Sequence, residues 1–173
     1  MKAFSAPERK TLKVILTDIE NPSLSVSGDY RLYKKGMDVH SCTGCFGCWT
    51  KTPGKCLIKD DSARFAEDLG KCTELIIISR CVYGGVSPFV KKMQDRGLPS
   101  LLPFFLIRNK EMHHKKRYGN RFALSALFYG KNITEDEKET AKTLIERNAL
   151  NYDAISTEVR FFSDEKEIGE LSL

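Results

Sequence analysis

The stretch LIIISRCVYGGVSPFVKKMQDRG, residues 75–97, decides the fold. Leu75-Ile76-Ile77-Ile78-Ser79-Arg80 is short, β-branched and almost wholly apolar, the pattern of a strand buried on both faces of a parallel sheet. Cys81-Val82-Tyr83-Gly84-Gly85 is a loop at its carboxyl end. Ser87-Pro88 then starts a helix, with serine at the cap and proline at the first helical position. Phe89, Val90 and Met93 face inward on it, and Gly97 ends it.

The same grammar recurs on either side. Leu12 to Thr17 reads as another buried strand, Arg121 to Phe128 as a third and Thr157 to Phe162 as the last. Asp61 or Ser62 caps a helix with Phe65 and Leu69 at helical spacing and Gly70 as its stop. Thr134 caps a longer helix that runs to about Leu150, and Glu137 completes a capping box. Tyr30–Tyr33 and Met37–His40 flank a Lys34-Lys35-Gly36 turn and read as a small hairpin or as one strand with a turn. Residues 98–120 read as irregular, and residues 1–10 and 164–173 as loose polar ends. Strands alternating with helices imply one α/β domain over 1–173, its parallel sheet covered on both faces and the 12–17 strand central. Ligands in such sheets bind at the carboxyl ends of the strands, here beside loops 18–28, 81–86 and 129–132. The cysteine-rich loop is expected at that same edge.

With 173 residues, 41% hydrophobic and 29% charged, the chain has the composition of a soluble globular protein. Its net charge of +5 favours anionic ligands such as nucleotides and is too small to argue for nucleic acid. The opening MKAFSAPERKTLK lacks the apolar core of a signal peptide, and the longest apolar run, Leu98–Ile107, is short and broken by Pro99 and Pro103. A membrane partner is not expected, and a cytoplasmic location follows. Cysteines there stay reduced, which favours metal or redox chemistry over disulfides.

Four of the six cysteines fall in CTGCFGCWTKTPGKC, residues 42–56. Cys42, Cys45 and Cys48 are separated by a glycine in each gap, and Pro53-Gly54 can return Cys56 to them. Four converging thiolates suit an iron–sulfur cubane. They also suit zinc, which more often takes two separated knuckles, or they pack the loop as free thiols. Trp49 shields a bound group or anchors the loop in the core. Cys72 reads as a core residue and Cys81 as a buried thiol at a strand end. The basic run over 110–121 offers His113, His114, Lys115, Lys116 and Arg117 as a grip for an extra nucleotide phosphate, or as a solvated loop. No nucleophile elbow for a hydrolase is present.

The run GCFGCWTKTPGKCLIKDD, the LIIIS strand and VYGGVSPFVKKMQDR together resemble the NADPH-dependent FMN reductase and iron–sulfur flavoprotein family of the flavodoxin-like fold. The resemblance implies a three-layer sandwich around a five-stranded parallel sheet of order 2-1-3-4-5, with FMN at the strand ends. It implies hydride or electron transfer between NAD(P)H or an electron-carrier protein and an acceptor. It places the flavin at Val82, Tyr83, Gly84, Gly85 and Gly130, and a 4Fe-4S cluster on Cys42, Cys45, Cys48 and Cys56. Such a cluster is expected close to the flavin edge, as a relay. Homodimers are implied too, because relatives complete the flavin site across a subunit interface. One segment departs from the pattern. The family's phosphate loop is rich in Gly, Ser and Arg and opens a helix, whereas residues 18–28 read DIENPSLSVSG with Asp18 and Glu20. Ser23, Ser25 and Ser27 offer hydrogen-bond donors there instead, and no full helix is expected between Gly28 and Cys42. That departure favours the alternative, a flavodoxin-like binding or redox-sensing module without flavin.

Overall fold

The computed structural model describes residues 11–173. The expected loose start over 1–10 lies outside the described residues. The elements are β1 Leu12–Thr17, β2 Asp29–Lys34, α1 Gly47–Thr50, α2 Phe65–Leu69, β3 Glu74–Arg80, α3 Pro88–Arg96, β4 Leu101–Arg108, β5 Glu111–Lys116, β6 Ala123–Tyr129, α4 Glu135–Tyr152, β7 Ser156–Phe162 and α5 Glu165–Gly169. Five strands run parallel in the order β2-β1-β3-β6-β7. Numbered among themselves, that order is the expected 2-1-3-4-5. The middle strand is β3 rather than β1, which is one place off centre. The segment between Gly28 and Cys42 holds β2 and a turn and no helix.

One sheet face is covered by helices. Val14, Leu16, Leu75, Ile77, Leu124, Ala126 and Phe128 pack there with Phe65 and Leu69 of α2, Val90 and Met93 of α3, and Ala141 and Ile145 of α4. Ser87 caps α3 by accepting from Val90 N–H, and its own N–H donates to Ser79 Oγ at 2.8 Å, which ties α3 to the end of β3. Thr134 and Glu137 form the capping box of α4.

Among the described residues the other face has only the five-residue α5 as helical cover, less than the full helical layer expected there. Its apolar half, Ile15, Ile76, Ile78 and Leu127, is covered by Ile19, Leu24 and Val26 and by a folded carboxyl tail. That tail was expected to be loose. Instead Ile168 of α5 is fully buried. Residues 171–173 then lie beside loop 18–28, with Ser27 N–H donating to Leu173 O and Leu173 N–H to Ser25 O, both at 2.8 Å. The other half carries Lys13, Glu74, Ser125, Glu158 and Arg160, which need no apolar cover.

Residues 98–120 are not irregular. β4 and β5 form an antiparallel hairpin paired to no other strand among the described residues, with Phe105 opposite His114 and Ile107 opposite Met112. Pro103 sits where the register shifts between Leu101 and Phe105, so the ladder loses no donor it needs. The turn is Asn109-Lys110, with φ of 51° and 66°, and it has no glycine to announce it. The basic run is therefore mostly strand. Lys116 pairs with Asp153 at 3.2 Å, Arg117 Nε donates to Pro99 O at 2.8 Å and the His114 Nδ1 position lies 2.8 Å from Leu102 O.

Candidate functional site

A cavity of about 850 Å³ opens at the carboxyl edge, between the loops that follow β3, β6 and β7. Arg80, Val82, Tyr83, Tyr129, Gly130 and Lys131 line it, with Lys166 of α5 across from them. Its size lies in the range of roughly 300–1,000 Å³ usual for small-molecule sites. The cations Arg80, Lys131 and Lys166 are balanced by the acids Glu137, Asp164 and Glu165.

Of the expected flavin residues, Val82, Tyr83 and Gly130 reach this cavity, while Gly84 and Gly85 build the turn behind it. Val82 and Gly85 exchange both backbone hydrogen bonds, at 2.9 and 2.8 Å. Tyr83 and Gly84 at the turn centre have φ of 50° and 75°, a primed turn that a tyrosine adopts only under strain. The turn holds Tyr83 91% exposed at the cavity rim. Gly84 is required by packing: a Cβ there would lie 2.6 Å from Thr140 Cβ and 3.0 Å from Glu137 O. The N–H groups of both glycines are engaged within the turn. Gly85 N–H is committed to Val82 O, and Gly84 N–H is directed at the Cys81 thiol. Burial nonetheless raises the Cys81 pKa, so this thiol is protonated at neutral pH. Gly130 N–H is committed to Phe162 O at 3.1 Å.

The 18–28 loop makes no phosphate cradle. Asp18 instead clamps three strand ends: its carboxylate accepts from Arg80 N–H at 3.0 Å and from the Tyr129 hydroxyl at 3.1 Å. Burial, and next the Asp18 charge, raise the Tyr129 pKa and keep it a neutral donor. Ser27 donates its hydroxyl to Leu173 O at 3.2 Å. The first turn of α4 is acidic, with Glu135, Asp136 and Glu137, so it also offers phosphate little.

Cys42, Cys45, Cys48 and Cys56 do come together, around one small space of about 20 Å³, room for about one water molecule. Among the described residues no group of three His, Cys, Asp or Glu side chains is placed to hold a metal ion. The four thiols thus suit a cluster in number and chemistry, and in this arrangement do not converge on one. Cys45 is exposed, and its pKa is lowered by hydrogen bonds from Gly47 N–H and then Thr43. Burial, and next Cys56, raise that of Cys48. Trp49 anchors the loop by donating Nε1–H to Leu101 O at 3.0 Å.

The cysteine loop is not at the cavity edge. After β2 the chain descends along α3, where Lys92 Nζ donates to Val39 O at 3.0 Å and Arg96 donates to His40 O at 3.1 Å. The thiols therefore sit against Asp95, Arg96 and Leu98 at the far end of α3. Nine helical residues separate that end from the cavity edge, about 13 Å along the axis. The expected place of the cysteine loop, at the same edge as loops 18–28, 81–86 and 129–132, is corrected accordingly.

Sequence reading missed what holds this loop. Arg96 is 2% exposed. Its guanidinium meets Asp60 Oδ2 at 3.0 Å and Oδ1 at 3.1 Å and also donates to His40 O and Ile58 O. Asp60 accepts further from His40 N–H at 3.0 Å, Ser62 N–H at 3.0 Å and the Ser62 hydroxyl at 2.6 Å. Burial alone would raise the Asp60 pKa, but these donors together hold it below the usual carboxylate range. Its signal was the pairing of IKDD with MQDR, read only as part of a resemblance.

No family model and no curated protein matches the chain. Among solved structures it is similar to an FMN-dependent NADH-azoreductase from Bacillus anthracis in complex with FMN. The two are 10% identical, with 92% of this chain and 96% of that one covered at a TM-score of 0.53. What this likeness shows is a shared fold, the flavodoxin-like arrangement of parallel strands.

Proposed function

We propose that the chain is a flavin-dependent oxidoreductase, with FMN as the flavin and NAD(P)H or an electron-carrier protein as the donor. The observation that carries this reading is the carboxyl-edge cavity with Tyr83 displayed at its rim. It lies where a parallel sheet of this order presents its strand ends. A bound flavin supplies the hydride and electron chemistry. The chain's part is to hold and orient it. Tyr83 offers a planar face, Arg80, Lys131 and Lys166 attract anionic groups, and the Tyr129 hydroxyl stays protonated against Asp18. Phosphate is not gripped at the end of β1, so the ring system carries the affinity. Titration with FMN tests this reading. Flavin fluorescence should be quenched on binding, and Tyr83→Ala should weaken the interaction. No binding at high micromolar FMN sinks it.

A second reading is favoured by the missing phosphate cradle and the intact thiol pocket: a redox-sensing module of the same fold that works through Cys42, Cys45, Cys48 and Cys56. Iron and sulfide analysis of anaerobically prepared protein tests whether these thiols take a cluster. No electron path to the cavity is drawn through them.

A further inference from the structure

Phe46, Trp49, His114 and Phe105 form a continuous run of rings on the outside of the β4–β5 hairpin. Phe46 stacks on Trp49 with centroids 5.1 Å apart, Trp49 meets His114 at 5.1 Å, and His114 meets Phe105 at 4.4 Å. The cross-strand pair Ile107–Met112 extends the band toward the hairpin turn. Phe46, Phe105, Ile107 and Met112 are 50%, 54%, 69% and 66% exposed. The hairpin's inner face is already occupied, since His113 is buried with Nδ1 3.0 Å from Asn151 Oδ1 of α4. The outer face has no cover among the described residues.

Large apolar residues bury about 200 Å² each, so the band leaves on the order of 500 Å² open. That is near the upper limit for one patch on a monomer, roughly 300–600 Å². It is also the size of the apolar centre of a standard interface, which buries about 800 Å² per partner. The band is aromatic and methionine-containing, and none of its six residues carries a permanent charge. A centre of that kind suits a surface that meets itself across a two-fold axis.

We propose that this face is covered by a second copy of the chain, in a dimer whose two hairpins pack outer face to outer face. The hairpin abuts the carboxyl end of α4, at the edge opposite the cavity. The pairing therefore differs from one that completes a flavin site, and it does not rest on the flavin reading.

Sedimentation velocity on the wild-type chain over a concentration series tests it. A dimer is expected at tens of micromolar. Ile107→Lys should raise its dissociation constant at least about a hundredfold, by burying an unpaired ammonium. Tyr30→Lys, at an exposed ring away from the band, should not change it. Trp49 is the sole tryptophan, so dilution should also shift its emission to the red. Wild type that stays monomeric throughout, or a dimer that survives Ile107→Lys with unchanged melting, overturns the proposal. Should Ile107→Lys misfold, the wild-type dilution series decides, and constant Trp49 emission counts against the dimer.

Discussion

Asp60→Ala should be the most damaging single substitution in the cysteine-loop region. It leaves the Arg96 guanidinium buried with only the His40 and Ile58 carbonyls as partners, and strips His40 and Ser62 of their shared acceptor. Breaking a buried ion pair from one side costs about 3–5 kcal/mol, a large share of the roughly 5–15 kcal/mol that holds a domain folded. At this chain length each kcal/mol moves the melting midpoint by about 2–4 °C, so a fall of about 10 °C is expected. Asp60→Asn should cost less, because its carbonyl oxygen can still accept. Urea and thermal unfolding followed by circular dichroism measure both. The pH dependence has a definite sign. The folded Asp60 pKa is lowered, so the pair's contribution is complete above the unfolded value near about 3.9 and is lost as pH falls through the folded value. The stability gap between wild type and Asp60→Ala should therefore be constant near neutrality and narrow below about pH 4. A loss under about 1 kcal/mol at neutral pH, the behaviour of an exposed pair, would refute this account.

Three further outcomes follow from the two sites. Riboflavin should bind within about tenfold of FMN, because among the described residues neither the 18–28 loop nor the acidic first turn of α4 cradles the phosphate and only the charges of Arg80, Lys131 and Lys166 attract it; a preference for FMN above about a hundredfold would reveal a phosphate grip elsewhere. Gly84→Ala should destabilise by about 2–4 kcal/mol, through its left-handed φ and the contact with Thr140, and an unchanged urea midpoint would show that the turn relaxes. In limited alkylation read by mass spectrometry, Cys45 should react first, since hydrogen bonds favour its thiolate. Cys72 should react only on unfolding, being 1% exposed with its pKa raised by burial to about 12. Early labelling of Cys72 would contradict its placement in the core.

The buried strands β1 and β3 were legible because a parallel strand is apolar on both faces, and LKVILT and ELIIISR state this locally, whereas the strand order was expected only from the resemblance. The caps of α3 and α4 were legible for a similar reason. Ser87 and Thr134 bond to amides three residues on, so the signal and its partner share one turn. The same held for the bend at Val82–Gly85 and for the closeness of the four thiols, which lie within fifteen residues. What only the tertiary structure decided depends on partners far apart in sequence. Asp18 clamps Arg80 and Tyr129, 62 and 111 residues away. Ser27 pairs with Leu173 across 146 residues. These contacts turn loop 18–28 from a candidate phosphate site into a sheet cover. Arg96 reaches Asp60 across 36 residues and holds the thiols at the far end of α3, away from the cavity. Side-chain pattern reports which face of an element is buried. It does not report which distant group meets that face, because that contact forms only once the sheet has brought both ends together.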